Sequence, residues 1–276
     1  MSTVDATTLA FSPITPRFGA ELGPVTLLDM SDDEVDALQQ LAAERGVVVV
    51  RDQVMTAGEH ARFAHRLGPL TVHQTGDSDL PPELLLVQTD ENSKRAVGGA
   101  WHSDISSEQR PPALSMLRME VVPSSGGDTL FADMYQAFEA LSPEIQALVR
   151  RLTARHDSKG HHLYLRGIKT LKELPSHVHP VARTHPRTGR TALYVNSSFV
   201  ARIMETNKLE GEAILRMLYD HVALGVDFHC RVQWKPNTVV FWDNRCVQHH
   251  GVFDYYPELR RGYRATSIGE TPYLDT

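Results

Sequence analysis

The stretch Thr238-Val239-Val240-Phe241-Trp242-Asp243-Asn244-Arg245-Cys246-Val247-Gln248-His249 opens as a β-branched and aromatic run and ends on a histidine. Such a run predicts a buried strand over 238–242. Working outward, strands are predicted at 191–195, 226–232 and 263–268, with a helix at 209–218 between them. Upstream, strands are predicted at 84–87 and 114–121, and Ser124-Ser125-Gly126-Gly127-Asp128 reads as a turn into Thr129-Leu130-Phe131. The valines of 46–50 form a further buried strand. A helix opened by Ser31-Asp32-Asp33-Glu34 precedes it, and one opened by the capping box Thr56-Ala57-Gly58-Glu59 follows. Ser142-Pro143-Glu144 starts another helix, predicted to run to 152. Many short strands with few helices predict a mainly β fold, a closed or double sheet with helices packed outside, in one domain over 1–276. Residues 158–180 break the pattern: they hold Gly160-His161-His162 and several lysines without clean periodicity, and are predicted as a lid or insertion.

Composition narrows the classes. The chain has 276 residues, 41% hydrophobic and 22% charged, which is enough to build a sizeable core. A net charge of −6 argues against a nucleic-acid or membrane-surface protein. Cys230 and Cys246 make neither a disulfide framework nor a CxxC site, and the N-terminus has no basic-then-apolar leader. No apolar run approaches spanning length. The expectation is a cytoplasmic protein.

Trp101-His102-Ser103-Asp104 places an imidazole and a carboxylate two residues apart, where extended backbone turns both to one side. Alone, such a pair occurs often by chance. With His249 it makes a two-histidine, one-carboxylate set that can take one face of an octahedron and leave three positions open, an arrangement suited to non-haem Fe(II). Two positions can accept the 1-carboxylate and keto oxygen of 2-oxoglutarate and one O2. The outcome is succinate, CO2 and hydroxylation of a nearby C–H. Arg260 follows His249 by eleven residues and Arg264 by four more. On a strand returning beside the one that carries His249, Arg260 would enter the same cavity, where a buried guanidinium needs an anion such as the distal carboxylate of 2-oxoglutarate.

With these residues assembled, the chain resembles the taurine dioxygenase and 2,4-dichlorophenoxyacetate dioxygenase (TauD/TfdA) family. The motifs are Trp101-His102-Ser103-Asp104, Gly126-Gly127-Asp128-Thr129, Trp242-Asp243-Asn244-Arg245 with Gln248-His249, Asp254-Tyr255, and Arg260 through Arg264-Ala265-Thr266. The resemblance implies a double-stranded β-helix (jelly-roll) fold. It implies Fe(II) held by His102, Asp104 and His249, and 2-oxoglutarate held by Thr129 and Arg260. Arg264 would lie near both the co-substrate and the anionic end of the substrate. Dimers or larger homo-oligomers are expected.

His73 keeps the place of a histidine that contacts the sulfonate in the taurine enzymes. Gly76 and Gly98 stand where those enzymes carry a tyrosine and an asparagine, so Gly98 implies a wider pocket and a substrate other than taurine. The expected substrate is a small organic anion: a sulfonate, sulfate ester, aryloxyalkanoate or carboxylate. Phe199 lines that pocket by analogy, or is core. Trp101 and Trp242 read as packing beside the ligands, and His250 faces away from His249 on a strand. His161, His162, His177 and His179 suggest either a second metal site or, more simply, surface and lid histidines. Two other readings of the barrel stay open: a metal-dependent hydrolase or isomerase using Zn2+, and a non-catalytic metal-binding protein.

Overall fold

Ser31 and Thr56 each accept the backbone N–H of the glutamate three residues on, and Glu34 and Glu59 bond back, so both capping boxes form. They start helices α1 (Asp32–Arg45) and α2 (Ala57–His65). The computed structural model describes residues 9–73, 79–93, 98–158 and 170–275. It adds α3 (Met134–Glu139), α4 (Pro143–Val149) and α5 (Lys208–Leu224). The first strands are β1 (Phe11–Pro13), β2 (Ala20–Leu22), β3 (Val47–Val50), β4 (Leu85–Thr89) and β5 (Pro112–Val121). Next come β6 (Thr129–Asp133), β7 (Thr153–Asp157), β8 (Ser176–Pro180), β9 (Ala182–Thr184) and β10 (Thr191–Leu193). The last are β11 (Val200–Ile203), β12 (His229–Val232), β13 (Val239–Asp243), β14 (Val247–Gly251) and β15 (Arg260–Ile268).

A seven-stranded sheet runs β1-β2-β3-β13-β5-β15-β4, and a three-stranded sheet β12-β6-β14 faces it. Alternate side chains show how the layers stack. Val47, Val49, Leu117, Met119, Val240 and Trp242 join one core with Phe131, Cys230, Val232 and Val247 of the small sheet. Their neighbours Val48, Val50, Leu114, Met116, Val239 and Phe241 join a second core with Val35 and Leu38 of α1 and Phe63 of α2. The central strands are thus covered on both faces, which is why they read as unbroken apolar runs. Two facing sheets with helices outside make the expected jelly roll. A further sheet, β11-β7-β8, and the pair β10-β9 complete the molecule among the described residues.

Several expectations change. Residues 226–228 are a 3-10 turn closed by Phe228 N–H donating to Gly225 O, so the predicted strand begins only at His229. α4 stops at Val149, three residues early. β15 does not lie beside β14: it pairs with β4 and β5 in the opposite sheet. The excursion at 158–180 is not one loop, because Ser176–Pro180 pairs antiparallel with β7; residues 159–169 lie outside the described residues. Among the described residues no helix is long and apolar enough to cross a membrane.

Candidate metal centre

His249 stands mid-strand in β14, opposite Phe131 of β6. His102 lies on a short extended segment that forms a single antiparallel bridge to His249. The His102 N–H donates to His249 O at 3.1 Å, and the His249 N–H donates to His102 O at 2.8 Å. This reciprocal pairing brings the two imidazole centroids to 4.1 Å. Of the pair His102 and Asp104, only His102 is extended. Asp104 opens the turn that follows, and its Oδ1 lies 3.9 Å from His102 Nε2 and 4.0 Å from His249 Nε2. The three donors converge as one potential metal set.

The donor chemistry fits a divalent cation. His102 Nδ1–H donates to Ala100 O at 2.8 Å, which turns the Nε2 lone pair toward the centre. Burial pushes both imidazoles below the usual histidine range, so both are neutral donors at pH 7. Burial would raise the Asp104 carboxyl, but the Arg264 guanidinium, helped by the Ser115 hydroxyl, outweighs it and holds the group well below the usual carboxylate range. Arg264 Nη1 donates to Asp104 Oδ1 at 2.6 Å and Ser115 Oγ to Oδ2 at 2.8 Å.

Asn244, from the turn after β13, carries the next layer. Its Oδ1 accepts the Asp104 N–H at 3.0 Å and Trp242 Nε1–H at 3.1 Å. Its Nδ2 donates to Ser115 Oγ at 3.0 Å. The Trp242 ring packs 4.9 Å from the His249 ring, as its packing role predicted, and His250 turns away toward Trp101. Sequence reasoning quoted Asn244 only as part of a motif and missed Ser115, since a serine inside an apolar strand gives no signal of its own.

Arg260 and Arg264 are four residues apart on β15, so they share its inner face, while Tyr263 and Ala265 join the helix-side core. Arg260 is buried; its Nε donates to Gly127 O at 3.0 Å and its guanidinium carbon lies 5.5 Å from the Trp234 ring centroid. Trp234 Nε1–H in turn donates to Thr129 Oγ1 at 3.0 Å. Thr129, Trp234 and Arg260 therefore form one cluster, of which Trp234 escaped the sequence reading. Among the described residues no carboxylate comes within ion-pair distance of Arg260, and burial lowers its pKa.

The substrate candidates are more scattered. The His73 N–H donates to Pro82 O at 2.7 Å, beside Thr71, whose N–H donates to Thr266 O of β15 at 2.9 Å. Gly76 lies outside the described residues. Gly98 has φ +79°, and a Cβ there would sit 3.1 Å from His102 Cε1, so the position faces the His102 ring directly. Phe199 is buried, joins neither core cluster, and donates its N–H to Asn196 Oδ1 at 2.9 Å.

A second group of potential ligands, His185, Asp243 and Cys246, is a structural knot. Arg245 forks Asp243 with Nε at 2.7 Å and Nη2 at 2.5 Å, and His185 Nε2–H donates to Asp243 Oδ2 at 3.0 Å. His185 Nδ1 accepts the Arg187 N–H at 3.2 Å, so both ring nitrogens are taken.

The profile of the family described as taurine catabolism dioxygenase TauD, TfdA family matches residues 10–266. An alpha-ketoglutarate-dependent sulfonate dioxygenase of Saccharomyces cerevisiae is 35% identical over 97% of this chain and 68% of its own. An alpha-ketoglutarate-dependent 2,4-dichlorophenoxyacetate dioxygenase of Cupriavidus pinatubonensis is 30% identical over 94% of this chain and 97% of its own. Among solved structures, a taurine dioxygenase from Burkholderia xenovorans superposes with a TM-score of 0.84 at 28% identity, covering 97% of this chain and 93% of that one.

Proposed function

Because the chain belongs to the TauD, TfdA family of dioxygenases, we propose that it uses Fe(II) and 2-oxoglutarate to hydroxylate an aliphatic C–H of a small organic anion. When bound, iron with 2-oxoglutarate and O2 supplies the oxidising power, with succinate and CO2 as co-products. His102, Asp104 and His249 hold the metal. Ser115, Asn244 and Arg264 orient the Asp104 carboxylate through its two oxygens and its backbone N–H. Thr129 and Arg260 bind the distal carboxylate of 2-oxoglutarate, and Arg264 and His73 draw the anionic end of the substrate, with Gly98 and Phe199 shaping the space around it.

The observation that carries this reading is Arg260. It is a buried cation with no carboxylate partner among the described residues, on the strand face that brings Arg264 to Asp104. Such a group is better stabilised when an anion joins it. A sulfonate, sulfate ester or aryloxyalkanoate suits the remaining cations, and the names of the yeast and Cupriavidus relatives support that class. A hydroxyl placed on the carbon bearing the sulfonate, sulfate or aryloxy group would release that group.

The match over 10–266 supports one catalytic domain. Cys230 and Cys246 are free and buried, as a reducing cytoplasm allows. A homo-oligomer is part of the same reading, and light scattering would test it. The central experiment is succinate formation on admitting oxygen to protein, Fe(II), 2-oxoglutarate and a panel of these anions. We expect iron-dependent succinate, stimulated by one class and lost in His102→Ala and Arg260→Ala. Equal succinate in wild type and His102→Ala would sink the assignment.

A further inference from the structure

Three histidines outside the ligand set converge on the turn that carries Asp104. His156 of β7 and His177 of β8 are directly opposite in the strand register, and His179 lies two residues along β8, so all three project from one face of that sheet. His177 and His179 are therefore not the surface or lid residues expected from their irregular surroundings; the pairing of β8 with β7 turns them inward. His179 is 2% exposed and His156 fully buried. His161 and His162 lie outside the described residues.

Each imidazole takes one of three consecutive residues. His156 Nδ1 shares a hydrogen bond with Ser106 Oγ at 2.9 Å. His177 Nδ1–H donates to Ser107 O at 2.8 Å, and His179 Nε2–H donates to Glu108 O at 2.8 Å. Asn196 Nδ2–H also donates to Ser106 Oγ, at 3.0 Å. Burial pushes His156 down to about 3 and His179 down to about 4, so both rings are neutral at pH 7 and their nitrogens keep fixed donor and acceptor roles.

The turn needs such a grip. Ile105, between Asp104 and the captured residues, has φ +37°, a conformation that a β-branched residue adopts only under constraint. On one side Asn244 holds the Asp104 N–H. On the other, the chain leaves Ile105 with Ser106, Ser107 and Glu108 each tied to an imidazole. Released at that end, the turn would relax toward an ordinary φ and rotate the carboxylate away from the two Nε2 atoms.

We propose that His156, His177 and His179 are positioning residues that clamp the 106–108 turn and so aim Asp104 at the metal. The inference rests on the reading of Asp104 as a metal ligand. It concerns metal affinity, not the chemical step.

The test is Co(II) titration of the metal-free full chain by visible absorbance, with the urea midpoint of each metal-free protein measured alongside. His179→Leu removes the donor to Glu108 O, and His177→Ala removes the one to Ser107 O from a half-buried site where folding is safe. His179→Gln keeps an N–H at the Nε2 position. The clamp predicts roughly tenfold weaker Co(II) binding in His179→Leu and His177→Ala, with His179→Gln recovering most of the loss. Packing alone would lower the urea midpoint and leave Co(II) affinity unchanged in both, and that result overturns the proposal. Failure of His179→Gln to recover affinity would also overturn it, since packing and not the hydrogen bond would then be at work. A wild-type chain that bound no Co(II) would refute the ligand assignment itself, a different outcome from equal binding in all variants.

Discussion

Arg264 Nη1 donates to Asp104 Oδ1 at 2.6 Å, the same oxygen that lies 3.9 Å and 4.0 Å from the two histidine Nε2 atoms. One carboxylate oxygen thus serves a fixed guanidinium and a prospective metal together. Arg264→Leu should cost the metal-free protein about 3 kcal/mol, because it leaves a buried carboxylate short of its main counter-charge. A bound cation would make up much of that loss. Saturating Mn(II) should therefore raise Tm more in Arg264→Leu than in wild type; an equal or smaller rise would show that the arginine and the metal do not share the oxygen.

Ser115 and Asn244 touch Asp104 but no other donor of the set. Ser115→Ala removes the hydroxyl that bonds Oδ2. We expect metal affinity to fall about tenfold or more and the unfolding free energy measured in urea to fall by about 1 kcal/mol. Unchanged metal affinity would mean that Arg264 orients the carboxylate unaided.

Gly98 and Gly189 offer a matched comparison, at φ +79° and +67°. Alanine at either costs about 1 kcal/mol in backbone strain. A Cβ at 189 meets nothing within 4 Å, whereas one at 98 meets His102 Cε1 at 3.1 Å. Both variants should lose similar stability, but only Gly98→Ala should weaken metal binding. Equal metal affinities would clear Gly98 of any part in seating His102.

Arg260→Met should raise the KM for 2-oxoglutarate about a hundredfold or more, the loss of charge-assisted bonds worth about 3 kcal/mol. Metal binding should be untouched. Stability of the metal-free protein should stay the same or rise, since a desolvated cation with no carboxylate at ion-pair distance among the described residues is removed. A variant that folds poorly yet keeps its KM would assign Arg260 to the scaffold.

Acid should weaken the fold in two stages. Burial holds His60 and His179 at about 4 and His156 at about 3, against 6.5 for a free histidine. Between pH 6.5 and about 4 the unfolded chain binds the extra protons, so stability falls as pH falls, by about 1.4 kcal/mol per pH unit for each histidine fully engaged. Asp104 and Asp243 act lower: their depressed carboxyls contribute stability above about pH 4 and lose it as pH drops further. Urea midpoints from pH 7 to 5 should decline steadily. A flat profile over that span would mean the three imidazoles are hydrated after all.

The convergence of His102, Asp104 and His249 was legible because metal chemistry restricts residue types and because motifs in order exclude chance. The central strands of the large sheet were legible for a different reason: burial on both faces leaves no polar alternation, so Val47–Val50 and Val239–Asp243 announce themselves by composition, whereas the three-residue strands Phe11–Pro13 and Ala20–Leu22 carry no such run and went unpredicted. What failed was long-range pairing. Nothing in Arg260 through Thr266 says that β15 joins β4 and β5 instead of β14, although the inward aim of Arg260 survives because both sheets face one core. His156, His177 and His179 were opaque for the same reason, since each bonds a backbone or hydroxyl group some fifty to seventy positions away. Trp234 gave no clue because it lies between strands and its partner Thr129 is far away in sequence.

The double coverage of the seven-stranded sheet has a consequence for how such a protein can change. Along β15, Arg260 and Arg264 turn inward, toward Gly127 and Asp104, while Tyr263 and Ala265 look toward the helices. Neighbouring letters of one strand therefore answer to separate pressures. Inward letters other than Arg260 and Arg264 can be rewritten while the outward ones hold the helices in place. A library confined to those inward positions should yield folded proteins at a higher rate than one spread evenly over the strands, and the same partition lets one scaffold diversify its chemistry without renegotiating its assembly.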